Sequence, residues 1–378
     1  MSRAPAANES DSVLMTHGED APVQRNELVV DAVPQAKSLP TLVQSRHLQL
    51  FYGDLHNHTG YSDGTGRPED ALRQMRARGL HFAAITDHGE FFDRETGLHN
   101  PKNWAALTDQ VKALTTDDFL AIRGFEWSSP SQGHSNVWWS SDYTGYFRTG
   151  DETMEAYYRW LEQAEAVPGA SILGGFNHPG REVACFDGCT YAPALEDRIV
   201  TLECFNRDDD YGDVYFRALD RGWHVGAIGV SDHHGSDWGS PRLPRAGLLA
   251  SALTAAGLQS ALQNRHVFAT RSPSLALLVA GNASLMGARL ALRKGELPEI
   301  GVWCDDPAAN GDWTRLELWT NGGTLVEARE TRGLQQVSWN IAPSPADDVE
   351  NWYVVRIQRS GAPVAYSSPI WISVASNQ

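Results

Sequence analysis

Tyr52-Gly53-Asp54-Leu55-His56-Asn57-His58-Thr59-Gly60-Tyr61-Ser62-Asp63-Gly64 lies where an apolar run, Leu48 to Phe51, gives way to a helix-like segment. Side chains alternate along an extended chain, so His56 and His58 project from one face. Asp63 follows five residues after His58, in a turn of Gly, Ser and Thr. A strand end and its loop can thus offer two imidazoles and a carboxylate to one metal ion. By itself a His-x-His is as compatible with coincidence as with a metal site. The rest of the chain has to complete it.

Six more segments do. The pattern predicts strands over 48–58, 82–86, 119–127, 134–139, 171–176, 199–205 and 224–230, with helices over 67–78, 103–114, 152–166, 214–220 and 255–263. Pro68, Glu69 and Asp70 suit the first turn of the second element, and Gly79 ends it. Strands alternating with helices imply a mainly parallel sheet. His58, His88, Glu126, His178, Asp232 and His234 each fall at or just past the end of such a strand. In parallel barrels those ends share one face, where active sites are built. His134 instead opens its strand, so either that strand runs the other way or the ligand belongs to the preceding loop.

The candidate ligands are therefore His56, His58, Asp63, His88, Glu126, His134, His178, Asp232 and His234. Nine nitrogen and oxygen donors exceed one tetrahedral zinc. They suit two or three divalent ions doing hydrolytic chemistry, with Glu126 as the natural bridge. His233 lies between two ligands and is expected to point away; His81, His99, His224 and His266 fit no ligand position. Asp54 and Asp87 precede ligands and either orient imidazoles or bond to backbone. Arg181 follows His178-Pro179-Gly180 and either binds a phosphate or oxyanion or remains a solvated loop residue; Asn206 and Arg207 are similar candidates. Trp127, Trp138 and Trp139 either line an aromatic pocket or belong to the core, with at least one of them core. Long loops over 89–103 and 180–198 can act as lids.

In this order the motifs Asp54-Leu55-His56-Asn57-His58 with Ser62-Asp63-Gly64, Thr86-Asp87-His88, Gly124-Phe125-Glu126, His134, Asn177-His178-Pro179 and Ser231-Asp232-His233-His234 resemble the PHP (polymerase and histidinol phosphatase) superfamily. The trailing strands and Glu203-Cys204-Phe205-Asn206 are similar to its CehA/McbA-like branch, which includes carbamate-ester hydrolases. The resemblance implies an α/β fold, a distorted (β/α)7 barrel followed by a small all-β sandwich, and two or three Zn, Mn or Fe ions. It implies His56, His58, Glu126 and Asp232 on one metal, Asp63, His88 and His234 on a second, and Glu126, His134 and His178 on a third. Asp63 stands where some members have histidine. Glu126, Asp232 and Arg181 are the expected catalytic residues.

Composition narrows the partners. The chain of 378 residues is 42% hydrophobic and 21% charged, the range of globular proteins. Its formal charge of −16 argues against binding nucleic acid or an anionic membrane, but bound cations would still admit an anionic substrate. The expected partner is a small-molecule ester, with phosphoester first and a carbamate or carboxylic ester as the alternative. The N-terminus lacks the pattern of a secretory signal, and Met1 and Met15 are both candidate starts. Four cysteines (Cys185, Cys189, Cys204, Cys304) are too few for a disulfide scaffold; Cys185 and Cys189 either pair or bind metal, or are loop thiols in a reducing cytoplasm, the expected location. Residues 1–42 are expected to form a polar, disordered tail, 43–270 the barrel, and 271–378 the β-sandwich.

Overall fold

The structure is a computed structural model that describes residues 35–95, 99–149, 153–308, 313–346 and 348–375. Strands β1 (Gln49–Asp54), β2 (Phe82–Ile85), β3 (Leu120–Ser129), β4 (Gly133–Trp138), β5 (Leu173–Asn177), β6 (Ile199–Asn206), β7 (Gly226–Val230), β8 (Arg245–Ala250) and β9 (Val267–Thr270) build the site-bearing half. β1, β2 and β3 run parallel, as do β5, β6 and β7. Their joining helices include α2 (Pro68–Ala77), α3 (Lys102–Leu114) and α4 (Met154–Gln163). α2 begins with Pro at its first position and Glu69 and Asp70 in its first turn, and buries Ala71, Leu72 and Met75.

β4 is antiparallel to both β3 and β5. Only a tight turn joins Ser129 to Gly133, and a parallel connection needs a dozen or more residues. The reversal brings His134, the second residue of β4, opposite Ser128 and Asn177, at the same end as the other strand termini. The sequence pattern missed β8 and β9. Both run antiparallel: β8 to β1, and β9 to β8. The sheet is therefore mixed, with a short strand Asp209–Asp210 also paired to β6, and departs from a uniform strand–helix alternation. β7 comes back against β8: a Cβ at Gly229 would lie 2.8 Å from the Arg245 carbonyl oxygen.

The C-terminal strands are β10 (Ala276–Gly281), β11 (Arg289–Arg293), β12 (Ile300–Asp305), β13 (Trp313–Thr320), β14 (Thr324–Glu330), β15 (Gln336–Ile341), β16 (Glu350–Arg359), β17 (Ala362–Ser367) and β18 (Ile370–Ala375). β10, β12 and β15 form one antiparallel sheet. The others extend the first sheet, because β17 pairs with β9 through Phe268–Ser367, Ala269–Tyr366 and Thr270–Ala365. One apolar cluster joins both groups, from Leu277, Val279 and Val302 to Leu316, Val355 and Ile372, and takes in Leu249 and Phe268 from the first half. A second aromatic contact stacks Phe216 on Trp319 and Trp352. Residues 34–378 form one compact unit.

The stretch expected to be a tail needs a correction at its end. Helix α1 (Leu39–Ser45) follows a short 3₁₀ turn, Ala36–Ser38. Leu39 and Val43, one helical turn apart, join the apolar cluster of the C-terminal strands, and the Ala36 amide donates to Asn340. Burying each of two such side chains contributes roughly 1.5–3 kcal/mol, enough to order a short helix that a polar sequence does not announce. The rest of the expected tail, up to residue 34, falls outside the described residues.

A chain ended after Thr270 should lose cooperative folding. It would leave β9 as an open edge and expose Phe268 and Leu249. Loss of a sigmoidal thermal transition by near-UV circular dichroism is the expected result. A soluble fragment that unfolds cooperatively would show that the two halves are independent.

Candidate metal centre

The site assembles at one end of the sheet, and backbone bonds set its depth. β1 continues beyond Asp54 as extended chain: Asn57 bridges to His233, and the His58 amide donates to the His233 carbonyl. His88 bridges to Glu126 across β2 and β3. His178 ends β5 with φ 27°, and Asp232 follows β7 with φ 45°. Arg207, after β6, has φ 51°. Left-handed backbone costs a non-glycine residue roughly 1–2 kcal/mol, and such strain gathers at functional sites.

Glu126 is 1% exposed and sits at the middle. His56 Nε2 lies 3.3 Å away, His58 Nε2 3.4 Å, His88 Nδ1 2.9 Å, His134 Nδ1 3.2 Å and His178 Nε2 3.4 Å. His56 Nε2 and His58 Nε2 are 3.0 Å apart, and Asp232 Oδ1 is 3.4 and 3.3 Å from them. Asp63 Oδ1 is 3.2 Å from His234 Nε2 and 3.6 Å from His88 Nε2. Donors bound at about 2.0–2.2 Å to a common ion lie about 3–4 Å apart, so these spacings match coordination vertices. Three groups of this kind hold the nine sequence-chosen residues except His178: His56, His58 and Asp232; His58, Asp63, His88 and His234; and His88, Glu126 and His134. A fourth group adds a residue the sequence reading did not pick: His134, His178 and Glu182.

The donor chemistry fits divalent cations. Six histidines meet carboxylates, and two donor atoms, His178 Nδ1 and Glu182 Oε2, are buried without hydrogen-bond partners. Among the described residues, His56, His58 and Asp232 would hold one ion, Asp63, His88 and His234 a second, and the Glu126, His134 and His178 side a third. His56 points Nδ1 at Glu203 (2.7 Å), which fixes its tautomer so that Nε2 faces the site. Glu203 also accepts from the His178 amide and Asn206, each at 2.7–2.8 Å. Asn177 donates to Glu126 at 2.7 Å. Ser128 holds His88 Nδ1 at 2.5 Å.

Asp54 and Asp87 bond amides and hydroxyls, and Asp87 reaches an imidazole only through Ser62, whose hydroxyl lies 3.2 Å from His58 Nδ1. Asp87 accepts from the Thr59 amide, the Thr59 hydroxyl and the Ser62 hydroxyl. Asp54 accepts from Ser231 and the His56 amide, and burial raises its carboxyl to about 6 despite those bonds. Arg181 sits at the cluster, not in solvent: it bonds Asp232 Oδ2 at 2.9 Å and Asn206 at 2.7 Å. Arg207 bonds the Asp232 carbonyl and reaches His234 Nδ1 at 2.7 Å. His233 turns away and accepts from the Asp237 amide. The core alternative holds for Trp127 and Trp138, whereas Trp139 also borders an apolar cavity with Val111, Ile122 and Val167. Trp127 follows Glu126, so it faces outward and stacks on Tyr157; Trp138 is inside, donating to the Leu55 carbonyl; Trp139 is 7% exposed, in the core. All four cysteines are free and buried. Part of the expected 89–103 lid falls outside the described residues.

Glu182 and Glu203 carried weak signals in the sequence. Glu182 is four residues after His178, within a loop. Glu203 shares a strand face with the ligands only once β6 is placed beside β5 and β7.

Burial works against the charged forms of His56, His88, His178, Glu126, Asp232 and Asp63, yet their neighbours win. It pushes the His178 imidazolium down, but Glu126 and Glu182 raise it to about 9. Glu126, Asp232, Glu203 and Asp63 likewise lift His56 and His88. Burial raises Glu126, Asp232 and Asp63, and the surrounding imidazoles hold each well below the carboxylate range.

Residues 54–164, from the end of β1 through α4, match the PHP domain family. No curated protein matches the chain. Among solved structures, a two-domain protein from Bacteroides vulgatus containing a predicted PHP-like metal-dependent phosphoesterase is similar at 17% identity and a TM-score of 0.47, over 85% of this chain and 96% of that one. An amidohydrolase from Chromobacterium violaceum with bound sulfate and no metal is similar at 16% identity and a TM-score of 0.28, over 50% of this chain and 89% of that one. No described helix is long and apolar enough to cross a membrane.

Metal-free protein and metal-bound protein should respond oppositely to pH. Without metal, the raised His178 stabilises fully below its unfolded value near 6.5, and that contribution is lost as pH rises through about 9. The lowered carboxylates contribute above about pH 4 and lose it as pH falls. Ions need neutral imidazoles, so they compete with these protons. The gain in Tm on adding Zn or Mn to chelator-treated protein should therefore grow from pH 6.5 to 9. A gain that shrinks over that range would contradict the ligand assignment. His58→Ala and Glu126→Ala should each lower metal content by ICP-MS, and an unchanged count in both would refute it.

Proposed function

We propose that the chain is a metal-dependent hydrolase of a small-molecule phosphoester, acting at a di- or trinuclear centre. The carrying observation is that two guanidinium groups, Arg181 and Arg207, reach the rim of the histidine–carboxylate cluster. The PHP-domain match supports the reaction class. Bound divalent ions supply water activation and Lewis-acid polarisation of the phosphoryl oxygens.

The chain's own residues supply the rest. His56, His58, Asp63, His88, Glu126, Asp232 and His234 hold the ions, and Glu203 and Asn177 keep His56 and Glu126 aimed. Arg181 is 31% exposed and tied to Asp232, Asn206 and Tyr211, so its planar fork is preorganised at the edge of the site. Arg207 is held by the Asp232 carbonyl and is 44% exposed. Both offer charge-assisted donors to phosphate oxygens, and at the rim they lose little by exchanging a carboxylate for a phosphate. Glu126 and Asp232 serve as ligands and anchors, not as bases: all their oxygens face imidazoles or Arg181.

The runner-up is a carbamate or carboxylic ester, as the CehA/McbA-like layout suggests. It calls for an apolar, aromatic cleft. Trp127, Trp138 and Trp139 are buried, and Phe91, stacked on His88, and Tyr211, bonded to Arg181, are aromatic rings at the site edge. Phosphate is favoured on that ground. The surface charge of −16 also weighs against nucleic acid as substrate.

The two readings part on one measurement. Arg181→Met should raise KM for p-nitrophenyl phosphate about 10–100-fold, the cost of one charge-assisted hydrogen bond of roughly 1.5–3 kcal/mol, and leave metal content intact. Turnover of a naphthyl carbamate should change far less. Carbamate turnover with no phosphatase activity in the parent protein would invert the preference.

A further inference from the structure

The second half of the chain reaches the arginine rim through the hairpin that follows β6. Phe205 pairs with Asp210 and Asn206 with Asp209, which leaves Arg207 and Asp208 at the tip. Arg207 takes φ 51°, a left-handed conformation that two-residue hairpin turns normally give to glycine or asparagine. A bulky residue stays there only where its surroundings hold it. The hairpin and the residue after it also carry the rim. Arg207 bonds the Asp232 carbonyl at 2.6 Å, and Asp209 Oδ2 and the Tyr211 hydroxyl accept from Arg181 at 3.3 and 3.1 Å.

The restraint comes from where the chain enters the second half. Arg271 follows β9, and its amide donates to the Val364 carbonyl of β17 at 2.9 Å. Its guanidinium lies over the Phe205 ring, 4.4 Å from the centroid. From there it donates to three successive carbonyls of the hairpin: Arg207 at 2.8 Å, Asp208 at 2.9 Å and Asp209 at 2.8 Å. A rigid planar fork can span such a set, and a lysine ammonium cannot. The Tyr366 hydroxyl of β17 donates to Asp210 at 3.0 Å, and Asp210 accepts from the Gly212 amide at 2.9 Å. A Cβ at Gly212 would collide with the Tyr366 hydroxyl, so the chain after the hairpin seats directly on β17. Three successive aspartates, 208–210, would otherwise repel an anion at this rim. Asp209 is turned to Arg181 and Asp210 to Tyr366, and the Arg271 cation offsets part of their field.

We propose that Arg271 is a positioning residue for substrate binding. With Tyr366 it locks the hairpin over 205–210, so that Arg207 directly, and Arg181 through Asp209 and Tyr211, are preorganised for phosphoryl oxygens. The second half thus takes part in substrate recognition without touching the substrate. This inference rests on reading Arg181 and Arg207 as the phosphate donors.

Calorimetry of inorganic phosphate binding to the intact, metal-loaded chain tests it, together with KM and kcat for p-nitrophenyl phosphate and metal content by ICP-MS. Arg271→Met should weaken phosphate binding and raise KM about 5–30-fold, change kcat less than about twofold and leave metal content unchanged, because the strained turn relaxes while the ions stay. Arg271→Lys should recover only part of that loss. Tyr366→Phe keeps the buried ring, removes the bond to Asp210 and should raise KM about two- to fivefold, which serves as the test should Arg271→Met fail to fold. Arg271→Met combined with Arg207→Met should cost less than the sum of the two, since one acts through the other; a general loss of packing would add. Additive losses would overturn the proposal, and so would wild-type KM and phosphate affinity in R271M and Y366F. Variants that match a phosphate-binding wild type defeat this inference alone. A wild type that neither binds phosphate nor turns over the phosphoester defeats the phosphoesterase reading and this inference with it.

Discussion

Five imidazoles surround the buried carboxylate of Glu126, and the molecule is arranged around the cost of putting them there. Each member is expensive to bury alone, and partners must repay the desolvation with good geometry. That geometry comes from strand ends pinned to one another. Asp54 ties β1 to the turn after β7 through Ser231, Asp87 ties the turn after β2 to Thr59 and Ser62, and Asn177 ties β5 to Glu126. Glu203 ties β6 both to His56 and to the His178 amide. These hydrogen-bonded acids carry none of the proposed chemistry. They set the depth and direction of the residues that do.

The C-terminal strands answer a different constraint. β8 and β9 run antiparallel beside β1, and β9 would otherwise end the sheet as a flat apolar edge. β17 pairs with that edge, and the cluster running from Leu249 and Phe268 into β10 and β16 covers the adjoining face. Helix α1 seals the far side through Leu39 and Val43. The second half therefore supports the first by sheet continuation, and its residues lie apart from the histidine cluster.

The sequence was informative where chemistry coincides with a simple period. His56 and His58 share a face because strand side chains alternate, and Asp232 with His234 repeat that spacing. The parallel strands were legible from apolar runs ending in polar motifs, and the short 127–134 connection left the reversal of β4 as one of two readings, which the antiparallel pairing decides. β8 and β9 escaped because Ala246, Gly247 and Ala269 give small, featureless signals whose burial is set by neighbours. The residue pattern left pocket and core both open for the tryptophans; a ring next to a ligand in sequence points to the opposite face in a strand, as Trp127 does beside Glu126.

By itself, the sequence determined the mixed α/β class, the nine nitrogen and oxygen donors and their order along the chain, since those depend on residue type and local period. Only the tertiary structure decided which donors share an ion-sized space, that Asp54 and Asp87 bond amides and hydroxyls with Asp87 linked to His58 through Ser62, that Arg181 and Arg207 converge on Asp232, and that Glu182 lies near His134 and His178. The reason is physical. Each of these depends on distances of a few ångströms between strands far apart in sequence, and such distances follow from register, strand direction and left-handed turns at His178 and Asp232, none of which the residue pattern encodes locally.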